Sequence, residues 1–156
     1  MDMTLIDDGL YVGGALDIKA ELIGSRGHFL DFLPDGIDAI LNLREEYQDA
    51  TGNRLPYAYM WLPIPDAAPA PDLKWLALAV RFIENMVIHN KSVLVHCAAG
   101  RSRSPFVAVA YLMKKLKLPA AQTIALVASK QQIDPNPAFV QRLLEWEQTL
   151  RSPLNE

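Results

Sequence analysis

At 156 residues the chain has the length of one domain, long enough to bury a substantial core. Hydrophobic residues make up 51% and charged residues 21%, an ordinary balance for a soluble globular protein. A net charge of −3 gives no bulk attraction for nucleic acid or an anionic membrane. The single cysteine, Cys97, excludes an internal disulfide framework and fits a reducing compartment. The acidic start, MDMTLIDDGL, lacks the features of a secretory signal or transit peptide. No run of about 18 apolar residues is present, so no stable membrane insertion is expected. The expectation is a cytoplasmic monomer that does not bind nucleic acid.

In chain order, Leu10-Tyr11-Val12 before Gly13-Gly14 reads as a short strand and turn. Ala15 to Ile23 reads as a short helix that ends near Gly24. His28 to Leu33 is an apolar turn stopped by Pro34-Asp35-Gly36. His28 has no ligand types beside it and is assigned no chemistry. Ile37 to Leu43 (IDAILNL) is a nearly continuous apolar run, as in a central parallel strand. Arg44-Glu45-Glu46-Tyr47 follows at the strand's C-terminal end, where open α/β sheets place ligand-contacting loops. A solvated charge cluster is the simpler account of that stretch. Tyr57 to Ile64 reads as a further strand, and Pro63, Pro65, Pro69 and Pro71 stiffen a loop that carries Asp66. Asp72 then caps a helix reaching about His89, with Leu76, Val80, Ile83 and Val87 as its buried stripe.

Beyond the β-branched run from Ser92 to Val95, Ser104 is a natural N-cap and Pro105 a natural first helical residue. That helix, to about Lys117, is apolar over most of its surface and is expected to be buried. Leu118-Pro119 breaks it, and Ala120 to Lys130 forms the next helix. Asn136-Pro137 opens the last, whose core face is Phe139, Leu143, Trp146 and Leu150. Strands alternating with helices argue for an α/β fold, a single domain over residues 1–156 with its core at about 5–150. A mainly parallel, twisted sheet with helices on both faces is expected.

The centre of the chain is His96-Cys97-Ala98-Ala99-Gly100-Arg101-Ser102-Arg103-Ser104-Pro105. It lies between a strand and a helix start. A loop of this length can turn its backbone N–H groups inward and form a nest for a tetrahedral oxyanion. The N-terminus of the following helix adds positive potential, and the Arg103 fork completes a phosphate-shaped pocket. Cys97 lies at its floor and reads as a thiolate nucleophile beneath a bound phosphate. No lysine follows the glycine as a Walker loop requires. Hydrolysis of a phosphate monoester also needs a proton for the leaving oxygen. Asp66 and Asp72 are the candidates, and Asp72 is better explained as a cap.

The run HCAAGRSRS is similar to the HCxxGxxRS signature of the cysteine-dependent phosphatases. Its Ser-Arg-Ser ending, the following AYLM and the opening IDDGLYVGG resemble the small dual-specificity branch. The resemblance covers about Leu5 to Leu150. It implies a phosphate-binding loop over Ala98 to Arg103, with a phosphocysteine intermediate on Cys97. It places the general acid at about Asp66, gives the Ser104 hydroxyl a role in thiolate departure, and has His96 brace the loop. Asn136 matches a residue that steadies the loop in the family, although N-capping explains it as well. The implied substrate is phosphotyrosine, with phosphoserine and phosphothreonine, or another phosphomonoester. No cofactor and no metal are implied.

Two alternatives remain at this point. The loop and the upstream EEY also resemble phosphatases of phospholipid head groups, but Ala98 stands where those carry lysine. A non-catalytic phosphoprotein-binding module would be expected to lack the cysteine, arginine or acid, and this chain has residues for all three. Arg101 is open to two readings, a contact with a second anionic group on the substrate or an internal ion pair with Glu45 or Glu46.

Overall fold

The first turn of the chain is made by Asp8 and Gly9, whose φ of +76° is one that glycine adopts without strain. It joins strand β1 (Met3–Asp7) to strand β2 (Leu10–Gly13) as an antiparallel pair, with Asp7 opposite Leu10. A computed structural model describes residues 3–14, 36–45 and 56–152. The expected helix from Ala15 to Ile23 and the turn at His28 to Leu33 lie outside these residues. Strand β1 adds an edge that the sequence reading left out.

Three further strands follow: β3 (Ala39–Arg44), β4 (Ala58–Ile64) and β5 (Val93–His96). The sheet order is β1-β2-β5-β3-β4, and every pair except β1 with β2 is parallel. The apolar run read as a central strand is β3, with all six residues buried between β5 and β4. Parallel strands covered on both faces need such runs. One row across the sheet, Gly13-His96-Asn42-Trp61, marks where β2, β5, β3 and β4 approach their C-terminal ends. Loops at that edge are where open α/β sheets bind ligands.

Four helices are described: α1 (Leu73–Ile88), α2 (Arg103–Leu116), α3 (Ala120–Ala128) and α4 (Pro137–Arg151). They share one large core with the strand residues Leu10, Val12, Leu41, Leu43, Val93 and Val95. The alternate strand residues Ile40 and Leu94 are fully buried in a second cluster with Ile37 on the other face, where no described helix packs; of the expected helices on both faces, the four described all share the first core. Helix α2 is the central element, buried at every position from Arg103 to Met113. Trp75, Phe106 and Phe139 stack across α1, α2 and α4, with centroids 6.4 and 4.6 Å apart. The Trp146 indole donates to the Ala110 carbonyl at 3.0 Å, which ties α4 to α2 and leaves the buried N–H satisfied.

Asp72 caps α1 as expected, accepting from the Trp75 N–H at 2.8 Å. Asn136 caps α4 by accepting from the Ala138 N–H at 2.9 Å, with Pro137 in the first turn. Helix α2 departs from expectation. It begins at Arg103, so Ser102 holds the N-cap position and Ser104 lies inside the first turn. The Ser-Pro cap rule is local, and tertiary partners for both hydroxyls override it.

Candidate active site

The loop from Cys97 to Ser102 joins β5 to α2 at the C-terminal edge of the sheet. Its start is held by β2, because the Cys97 N–H donates to the Gly13 carbonyl at 3.3 Å. Gly100 has a φ of +73° and passes directly over Gly14. The loop therefore folds back toward β2 before it enters α2.

Cys97 is only 2% exposed, so its sulfur lies at the base of the loop rather than on its rim. The Ser104 hydroxyl is 2.8 Å from Cys97 Sγ and 3.0 Å from the Gly13 carbonyl oxygen. The Ser104 backbone N–H also points at the sulfur, at 3.4 Å. One hydroxyl proton thus has two acceptors, the sulfur and a carbonyl. Starting α2 two residues early is what sets both Ser104 donors against the sulfur, and it adds the positive end of the helix behind it.

Arg103 is buried, and its Nη1 donates to the Ile64 carbonyl at the end of β4, at 2.9 Å. That anchor ties the guanidinium to the end of β4. Asp66 lies just beyond β4 on an exposed loop, and its Oδ1 accepts from the Ser102 hydroxyl at 2.6 Å. The structure thus brings Asp66 to the loop, while Asp72 stays committed to its helix cap.

The far side of the loop rests on the segment between α3 and α4. Gln131 Nε2 donates to the Gly100 carbonyl at 2.8 Å, and the Asp134 N–H donates to the Arg101 carbonyl at 2.7 Å. The Asn136 N–H donates to Ser102 Oγ at 2.9 Å. The Asn136 side chain is used for the cap, and its contact with the loop is made by its backbone. His96 is fully buried at the end of β5. Arg101 is exposed. Arg44 is buried at the end of β3, its N–H bonded to Asn42 Oδ1 and its carbonyl to the Trp61 indole, while Glu45 is exposed. Glu46 and Tyr47 lie outside the described residues.

Sequence reasoning missed the roles of Gly14, Gln131 and the Ser102 hydroxyl. For the glycine a signal was available in the Gly13-Gly14 pair, but its partner Gly100 is far away in the chain. Nothing local marks Gln131 or the Ser102 side chain. Among the described residues no group of three or more His, Cys, Asp or Glu could hold a metal ion. The groups gathered at the loop are a thiol, hydroxyls, N–H donors and a fixed guanidinium, which suit a tetrahedral oxyanion.

These features define a cysteine-dependent phosphatase domain. Residues 32–149 match the family described as "Dual specificity phosphatase, catalytic domain", and the chain belongs to that family. It is 38% identical over 117 residues to human dual specificity protein phosphatase 9, a match covering 74% of this chain and 30% of that protein. The chain thus corresponds to about a third of the length of that relative. The crystal structure of human DUSP28 superposes with a TM-score of 0.75 at 26% identity and covers 96% of both chains. The structure of PTPMT1 in complex with PI(5)P shares the fold, with a TM-score of 0.74, 20% identity and coverage of 95% and 96%.

Proposed function

We propose that the protein hydrolyses phosphomonoesters on proteins, phosphotyrosine and also phosphoserine and phosphothreonine, through a phosphocysteine intermediate on Cys97. The observation that carries this reading is the placement of Ser104 Oγ 2.8 Å from a buried sulfur at the floor of the loop. In the first step Cys97 Sγ attacks phosphorus and the bond to the leaving oxygen breaks. Asp66 gives that oxygen its proton. The N–H groups from Ala98 to Arg103 and the Arg103 guanidinium stabilise the equatorial oxygens. In the second step water attacks the phosphocysteine, Asp66 takes a proton from it, and the S–P bond breaks. The Ser104 hydroxyl, otherwise bonded to Gly13, donates to the departing thiolate.

The dual specificity protein phosphatase relatives support a protein substrate, and Ala98 in place of lysine disfavours a phospholipid head group. We place the enzyme in the cytoplasm, acting as a monomer; its single cysteine fits a reducing compartment, and no described helix is apolar and long enough to cross a membrane. The test is a panel of phosphotyrosyl and phosphothreonyl peptides set against phosphatidylglycerophosphate and phosphoinositides, with Cys97→Ser as the blank. Release of phosphate from both peptide classes at higher kcat/KM than from the lipids is the expected result. A preference for the lipids would overturn the protein assignment.

A further inference from the structure

The N-cap position of α2 is held by a serine that does not cap. Serine at that position ordinarily accepts from an N–H in the first helical turn, but Ser102 makes no such bond. Its Oγ instead accepts from the Asn136 N–H at 2.9 Å. With that N–H directed at the oxygen, the one hydroxyl proton is left for Asp66 Oδ1, 2.6 Å away. The arrangement is directional: Asn136 N–H to Ser102 Oγ–H to the Asp66 carboxyl. Ser102 is buried and Asp66 is exposed, so a fixed group holds a carboxyl that would otherwise rotate freely on its loop.

We propose that Ser102 is a positioning residue for the proton donor, holding one oxygen of Asp66 so that the other is presented to the leaving group. This rests on the reading of Asp66 as the donor. The helix forgoes a stabilising cap, and the hydroxyl is diverted from a bond serines favour there toward a carboxyl on a separate loop. The Asn136 backbone fixes the donor direction, so the α3–α4 segment takes part in orienting Asp66 as well as in supporting the loop.

The experiment compares phenyl phosphate, whose leaving group needs the proton, with para-nitrophenyl phosphate, whose leaving group needs it far less. Ser102→Ala, Ser102→Thr, Asp66→Ala and the double variant Ser102→Ala/Asp66→Ala are measured, with vanadate affinity as the check on loop integrity. In Ser102→Ala, kcat/KM for phenyl phosphate is expected to fall about 10-fold more than for para-nitrophenyl phosphate, within the range of general acid catalysis. The Thr variant, which keeps the hydroxyl, is expected to restore the wild-type ratio of the two esters. In the Asp66→Ala background, Ser102→Ala is expected to leave that ratio as it stands, because the group through which it acts is gone. Equal losses on both esters, or a further change of ratio in the double variant, would show Ser102 to be loop support and overturn the proposal. If Asp66→Ala alone does not change the ratio, the donor assignment falls and this proposal falls with it.

Discussion

Gly14, just beyond β2, and Gly100, in the loop between β5 and α2, meet backbone to backbone. A Cβ on Gly100 would lie 2.8 Å from the Gly14 nitrogen, and one on Gly14 would lie 2.9 Å from the Ala99 carbonyl carbon. Neither neighbour is a side chain that could swing away. The approach lets the loop fold over the end of β2, which in turn puts the Gly13 carbonyl within reach of both Cys97 N–H and Ser104 Oγ.

Gly14→Ala is therefore expected to push the loop outward at Ala99. Gly14 does not have a positive φ, so the effect is purely one of space. Overpacking of this kind costs about 1–3 kcal/mol of stability. Displacement of the loop by a fraction of its own width is expected to cost about 100-fold in kcat/KM. Urea unfolding together with steady-state kinetics on para-nitrophenyl phosphate separates the two. A variant with normal activity would show that the contact is not needed to shape the loop.

Ser104→Ala removes the hydroxyl that lies 2.8 Å from the sulfur. A hydrogen bond to a charged group contributes about 1.5–3 kcal/mol, so the step in which the thiolate departs is expected to slow by about 10- to 100-fold. Formation of the intermediate is expected to slow less. Rapid-mixing kinetics would then show a burst of released para-nitrophenol that wild type lacks. Equal slowing of both steps would mean that the hydroxyl only shapes the loop.

Asp66 and Asp72 are close in sequence but make different contacts, one with the Ser102 hydroxyl and one with its own helix. Asp72→Ala is expected to lower stability by about 1 kcal/mol through loss of the α1 cap. Its kcat for phenyl phosphate is expected to stay within a factor of about two, since the carboxylate faces its own helix. Asp66→Asn is expected to lower kcat for phenyl phosphate by about 100-fold or more, with little loss of stability. Exchange of these two phenotypes would reverse the assignment.

On the outer side of α2, Lys115 donates to Asp7 on β1. That hydrogen bond holds the Lys115 ammonium above its ordinary value of 10.5. Burial raises the Tyr111 phenol above its ordinary value of 10.0. In both groups the folded chain keeps the proton longer than the unfolded chain does. Their contribution to stability is thus complete below about pH 10 and is lost as the pH rises through the raised folded values. Lys115 is 38% exposed, so screening limits the pair to under about 1 kcal/mol. Urea midpoints are expected to fall on passing above about pH 10, and to fall less steeply in Lys115→Met and Tyr111→Phe. A flat profile in wild type would contradict this.

How far the sequence could be read depended on the range of the forces involved. The loop was legible because a phosphate nest, a thiol and a guanidinium fork require particular residue types at close spacing. Asp72 could be read as a helix cap because capping has a local signature, and the Trp75 N–H bond is that cap. The start of α2 was misread for the same local reasons. Ser104 before Pro105 looks like a cap, but Cys97 Sγ and the Gly13 carbonyl claim its hydroxyl. Strand β1 was missed because Met3 to Asp7 is a short, half-exposed edge, although Asp8-Gly9 was a usable hairpin signal. The contacts of Gln131 and Ser102 span about 30 residues or more and leave no periodicity to detect.

The central claim is that phosphate passes through Cys97. Ser104→Ala mixed with para-nitrophenyl phosphate and quenched in acid within its burst phase should accumulate the intermediate. Peptide mass spectrometry is expected to find the phosphoryl group on the peptide containing Cys97, and Cys97→Ser is expected to bind vanadate yet release no para-nitrophenol. Steady turnover by Cys97→Ser, or phosphate recovered on a different residue, would contradict the account.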